Sequence, residues 1–150
     1  MNVREIMTKE VVTISPAMDV RGVAELFIAK DIGGAPVVDD AGNMKGIVLE
    51  ESLILQDKRI HLPTFVYILN GVFAVGQERF EEELKKMAAI TAEGIMEKKF
   101  VVLSPDTPVE NVATMVVEQG LHYFPVTENG KLVGVVTKKD IVRAIAQKRI

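Results

Sequence analysis

Apolar and polar positions along this chain follow two periods, and each period occurs twice. Val20, Val23, Ala24, Phe27 and Ile28 recur at the three-and-four spacing of one helix face. That predicts a helix from Asp19 to about Lys30, ended by Gly33-Gly34. The apolar runs Ala35 to Val38 and Lys45 to Leu49 flank Asp39-Asp40-Ala41-Gly42-Asn43, so they predict a β-hairpin around a polar turn. Before the helix, Val3 to Met7 reads as a helical turn. Val11 to Ile14 reads as a short strand stopped by Ser15-Pro16. After the hairpin, Glu50 to about Gln56 begins another helix.

The same succession returns later. Phe100 to Leu103 is a short strand. Thr107, Pro108 and Glu110 predict an N-cap, a proline at the first helical position and a capping glutamate. That helix runs to about Gln119 and stops at Gly120. Tyr123 to Thr127 and Lys131 to Thr137 form a hairpin around Glu128-Asn129-Gly130. A final helix runs from Lys138 to about Lys148.

The two successions are copies of one unit. Ile6-Met7 returns as Ile95-Met96, an offset of 95 − 6 = 89. At that offset Ser15-Pro16 matches Ser104-Pro105, Val23-Ala24 matches Val112-Ala113, and Pro36-Val37 matches Pro125-Val126. One residue is lost in the turn, after which Gly46 matches Gly134. The chain therefore divides into a first repeat at 1–56, a spacer at 57–91 and a second repeat at 92–150. Each repeat is β-α-β-β-α, an α/β (α+β) unit with two helices on one sheet face. Its other face is apolar, and two units related by a pseudo-two-fold axis can bury those faces together.

The spacer has its own pattern. Asp57 to Pro63 is polar. Thr64 to Val75 is apolar and reads equally as helix or strand. Gln77 to Ala89 is an amphipathic helix with Phe80, Leu84 and Met87 on one side and Glu81–Lys85 and Glu82–Lys86 as i, i+4 pairs.

Composition narrows the function. Of the 150 residues, 48% are hydrophobic, which is enough for a substantial core. With no Trp and few aromatics, that core is aliphatic. A formal charge of −3 gives no broad basic face and argues against a nucleic-acid partner. The absence of cysteine excludes disulfides and thiol chemistry and suits a reducing, cytoplasmic setting. Met1 to Glu10 has no continuous apolar run, so no leader peptide is expected, and no segment has the length for a membrane span.

Candidate chemistry concentrates where the second hairpin meets the last helix, at Thr137-Lys138-Lys139-Asp140. A helix start carries free N–H groups and a partial positive charge that suit a phosphate. A carboxylate three residues beyond a hydroxyl can accept from two ribose hydroxyls. The same tetrapeptide is close to a capping box, which closes a helix on itself, and the two roles are compatible.

Two copies of Ile-Met, strand, Ser-Pro, helix, Pro-Val strand and Gly-x-Val strand resemble a tandem pair of CBS domains, or Bateman module. The resemblance implies a non-enzymatic regulatory sensor that binds AMP, ADP, ATP or S-adenosylmethionine between its repeats and commonly forms a homodimer. It implies that Thr137 faces the phosphate and Asp140 the ribose. Met96, Lys99, Phe100 and Val101, with Tyr123, Phe124 and Pro125, would wall the adenine. Lys138 and Arg143 would lie near a phosphate, and His122 would reach towards it. In the first repeat the matching positions are Leu49 and Ser52, which cannot do the same work, so one good site and one degenerate site are expected.

No catalytic or metal motif is present: there is no His-x-x-x-His, no P-loop and no Gly-x-Ser-x-Gly. His61 in the spacer reads as an exposed turn rather than a lid over ligand or a catalytic group. The rival reading is a module that takes no small ligand and works through its 57–91 insertion as a dimerisation or partner-protein surface.

Overall fold

The computed structural model describes residues 1–54 and 90–147. The elements expected in the spacer lie outside the described residues. The described elements are α1 (Val3–Ile6), α2 (Val20–Lys30), β1 (Gly34–Val38), β2 (Met44–Leu49), α3 (Glu50–Ile54), α4 (Ala92–Ile95), α5 (Val109–Gln119), β3 (Tyr123–Glu128), β4 (Lys131–Thr137) and α6 (Lys138–Ala146).

The chain forms two compact units that cut across its repeats. A contiguous unit spans Thr13–Lys98, and a split unit joins Met1–Val12 to Lys99–Ile150. Each repeat thus gives its opening segment to the unit that houses the other repeat's hairpin.

In the contiguous unit β1 and β2 pair antiparallel, from Gly34 opposite Leu49 to Val37 opposite Gly46, with a register shift before Val38. Each outer edge carries one further residue: Ile14 bridges Val37 in parallel, and Glu97 bridges Ile47 antiparallel. The split unit repeats this plan. β3 and β4 pair from Tyr123 opposite Thr137 to Val126 opposite Gly134, then shift before Thr127. Leu103 bridges Val126 in parallel, and Thr8 bridges Val135 antiparallel.

The expected leading strands at Val11–Ile14 and Phe100–Leu103 therefore shrink to a single bridge each, for a reason written in the prolines. Ile14 N–H donates to Pro36 O at 3.0 Å, and Val38 N–H donates to Ile14 O at 2.9 Å. Extending that parallel ladder requires N–H groups from Pro16 on one side and Pro36 on the other, and proline has none. Leu103 makes the same two bonds, to Pro125 O and from Thr127 N–H, and is stopped by Pro105 and Pro125.

Helix ends also differ from the sequence pattern. The N-cap of α5 is Pro108, not Thr107. Thr107 Oγ1 instead accepts from Ser104 N–H at 3.1 Å, and the Val109 amide donates to Met1 O at 3.0 Å. A helix-start donor is thus satisfied by the distant N-terminal segment. α2 begins as expected, Asp19 accepting from the Gly22 amide at 2.6 Å. It ends at Asp31, in the left-handed region with φ 51°, before Gly33 is reached.

Each unit has its own aliphatic core. Val20, Val23, Ala24 and Phe27 of α2 pack with Val37, Val48, Leu53 and Ile95. Val109 and Val112 of α5 pack with Val3, Phe124, Val126, Val136 and Ile141. Full burial of one such side chain stabilises by about 1.5–3 kcal/mol. These residues hold the hairpins rigidly under their helices, which fixes the strand-to-helix junctions at Leu49–Glu50 and Thr137–Lys138.

Candidate functional site

The junction of β4 and α6 combines a buried carboxylate with several donors. Val135 and Val136 are buried β-branched residues that hold β4 extended up to Thr137. Thr137 then caps α6, and Thr137 and Asp140 form the capping box their spacing suggested. Asp140 is 3% exposed. Its Oδ2 accepts from the Thr137 amide at 2.8 Å and from Thr137 Oγ1 at 3.1 Å. Its Oδ1 accepts from Arg143 Nη1 at 2.9 Å, one helical turn on, and from Thr8 Oγ1 at 2.9 Å. A charged carboxylate at this depth is tolerated because donors surround it.

Thr8 was not legible as a site residue. It comes from the first repeat, 132 positions from Asp140, and local spacing cannot show that. Its backbone is locked to β4 by two bonds: Thr8 N–H to Val135 O at 2.9 Å and Val135 N–H to Thr8 O at 3.0 Å. Such close approach needs a glycine beside it. A Cβ on Gly134 would stand 2.7 Å from Met7 Sδ and 3.0 Å from Thr8 O.

Tyr123 lies opposite Thr137 in the hairpin register and is 8% exposed. Burial raises its phenol pKa well above the ordinary tyrosine value, and the Asp140 charge adds to the shift. Phe124 and Pro125 are buried beside it, Phe124 within the core. Val101 packs against the same core, while His122 is half-buried and Lys99, Lys138 and Arg143 are exposed. The split unit thus contains every residue anticipated for the site except one. Met96 belongs to the contiguous unit, where it packs on the core and over Gly46. Met7 holds the corresponding place over Gly134, because the opening segments are exchanged.

The matching junction in the contiguous unit is built differently. Ser52 is buried, and its Oγ accepts from the Leu49 amide at 3.1 Å. Glu97 takes the position of Thr8, bridging Ile47. This junction presents neither the hydroxyl of Thr137 nor the carboxylate of Asp140. The same unit carries an open pocket of about 340 Å³ between α2 and α3, lined by Phe27, Ile28, Leu53 and Ile54, with Asp31 and Glu50 among its polar residues. Among the described residues no cluster of His, Cys, Asp and Glu is able to hold a metal ion, and no helix is long and apolar enough to cross a membrane.

The sequence and the fold of the chain match known proteins. The family model for the CBS domain fits the chain twice, at residues 3–58 and 92–147. The CBS domain of a CBS domain-containing membrane protein from Sphaerobacter thermophilus superposes with a TM-score of 0.76 at 28% identity, covering 95% of this chain and 86% of that one. The CBS domain pair of protein MJ0100, solved with 5-methylthioadenosine and S-adenosyl-L-methionine, superposes with a TM-score of 0.70 at 22% identity, covering 99% and 98%. CBSX2, a protein of Arabidopsis thaliana solved in complex with AMP, gives 0.72 at 23% identity, covering 99% and 98%.

Proposed function

This chain belongs to the CBS-domain family, and from that premise we propose that it is a regulatory module taking an adenosine-containing ligand at the β4–α6 junction of its split unit. The observation that carries the reading is the Thr137–Asp140 pair, present at one junction and absent from the other. In this reading Asp140 accepts from the two ribose hydroxyls. Thr137, the α6 amides, Lys138 and Arg143 face a phosphate or other polar group. Val101, Tyr123, Phe124 and Pro125 offer the apolar wall for the base, with Lys99 and His122 at its margin. The ligands of MJ0100 and CBSX2 share one adenosine group, which supports that class and leaves AMP, ADP, ATP and S-adenosylmethionine as members to test. The Leu49–Ser52 junction is then the degenerate site. No catalytic role is assigned. The ligand acts by binding two arrangements of the module with different affinity.

Isothermal titration of purified, ligand-free protein with AMP, ATP and S-adenosylmethionine tests this. Hydrogen bonds to a charged group are worth about 1.5–3 kcal/mol each, so Asp140→Asn and Asp140→Ala lower affinity by at least about tenfold while circular dichroism confirms folding. Absence of heat with all three ligands refutes the reading.

A second reading rests on exposed apolar side chains. Ile28 (72% exposed) and Ile54 lie in the contiguous unit, and Val117 (82% exposed), Val142 and Ile145 lie on α5 and α6 of the split unit. They favour association, as a homodimer or with a regulated protein. Sedimentation of wild type against Ile28→Glu and Val117→Glu reads this directly. Of the 57–91 insertion proposed for the same role, residues 57–89 lie outside the described residues.

A further inference from the structure

We propose that Thr8 sets the affinity of this site by competing with the ligand's vicinal diol for Asp140. The inference rests on the ribose reading above and adds a residue and a direction to it.

A carboxylate offers about four acceptor positions, and Asp140 has four donors on it: Thr8 Oγ1, Arg143 Nη1, the Thr137 amide and Thr137 Oγ1. A diol brings two more donors, so two of the four must leave. On Oδ2 the Thr137 amide bond closes the start of α6, and releasing it unmakes a helix cap; the Thr137 hydroxyl is held beside it by the same cap, its Oγ1 accepting from the Asp140 amide. The pair on Oδ1 comes from side chains alone. Arg143 is more than half exposed and returns its guanidinium to water when it lets go. Thr8 is different. Its backbone is fixed to Val135 by two hydrogen bonds, so its hydroxyl stays beside the carboxylate and leaves only by turning about χ1. The ligand-free state is therefore stabilised by a bond that the ligand-bound state gives up. A contact made only without ligand lowers apparent affinity by the worth of that contact.

The arrangement occurs in one unit only. Where the split unit sets the Thr8 hydroxyl against the Asp140 carboxylate, the contiguous unit has Glu97 and Ser52. The self-bonded carboxylate thus coincides with the junction able to receive a ribose.

The test is titration of wild type, Thr8→Val and Thr8→Ser with AMP and with S-adenosylmethionine. Valine keeps the β-branched shape and removes the donor. The expected result is at least about tenfold tighter binding by Thr8→Val, from the worth of one hydrogen bond to a charged carboxylate, with Thr8→Ser close to wild type. Thr8→Ala makes the same test should the valine variant not fold. Binding by Thr8→Val alone also supports the proposal. If wild type binds and Thr8→Val binds equally or more weakly, the competition is overturned and the ligand reading stands. If neither protein binds either ligand, the ligand reading falls and takes the competition with it.

Discussion

Replacing Gly134 by alanine probes the contact that brings the N-terminal segment to β4. The added Cβ would lie 2.7 Å from Met7 Sδ, 3.1 Å from Met7 Cγ and 3.0 Å from Thr8 O. The Met7 side chain can move aside. The Thr8 carbonyl cannot move alone, since it accepts from Val135 N–H at 3.0 Å and its own residue donates back at 2.9 Å. Overpacking of this kind costs about 1–3 kcal/mol. Loss of one bridge bond adds about 1 kcal/mol, and removing a glycine from a strand returns about 0.5–1 kcal/mol. The net expectation is about 2 kcal/mol of destabilisation, which lowers Tm by about 4–8 °C in a chain of this length. Urea denaturation measures the free energy, and amide exchange locates it. Thr8 and Val135 should lose protection while Val48, in the core of the other unit, keeps it. Adding Met7→Ala relieves the sulfur clash only, so part of the loss persists in the double variant. Wild-type stability to within about 0.5 kcal/mol in Gly134→Ala, or unchanged exchange at Thr8, would refute the close-approach argument.

Two further expectations follow from ionisable groups. Burial, with Asp140 second, raises the Tyr123 pKa, so its phenol stays protonated where a free tyrosine, with pKa about 10, ionises. Ultraviolet titrations of wild type and Tyr123→Phe should then superpose to about pH 11, and a Tyr123 contribution near pH 10 contradicts the burial. Above that ordinary value the unfolded chain sheds a proton the fold retains, so this group makes stability fall as pH rises. Asp39 behaves in the opposite sense: its carboxylate accepts from the Asn43 amide at 2.8 Å and the Ala41 amide at 3.0 Å, with Lys45 at 3.5 Å. The Asn43 bond is the main cause of its lowered pKa. Its contribution is complete above the ordinary aspartate value and is lost as pH falls through the lower folded value. The Ala41 and Asn43 amide shifts should titrate with a midpoint below that of an aspartate in a flexible peptide; a midpoint at or above it removes the turn from the account.

Local chemistry made much of this molecule legible before its structure. The α2 stripe, the two hairpins and the Thr137–Asp140 cap follow from spacing alone, because their partners lie within a few residues. The doubled Ser-Pro and Pro-Val pairs fixed the repeat, and the same prolines explain why the leading strands shrink to Ile14 and Leu103. What escaped depends on contacts between residues 50 or more positions apart in sequence. Thr107 has good N-cap chemistry, yet Met1 satisfies the α5 start and leaves Thr107 to close its own turn. Met96 and Met7 are equivalent by repeat, so sequence alone could not assign either to a unit. Thr8 carries no motif and became a site residue only when β4 placed it over Asp140.

The crossing of repeats and units has a consequence for how the protein is made. During synthesis, residues 13–98 leave the ribosome as an uninterrupted stretch and can close around their own core. Residues 1–12 precede that stretch, yet their partners on β4 and α5 are translated after it. Val3, Ile6 and Thr8 therefore wait, unpartnered by their own unit, until α5 and β4 have been made. The carboxylate whose surroundings they complete then acquires its final form only after the residues of the contiguous unit have been made.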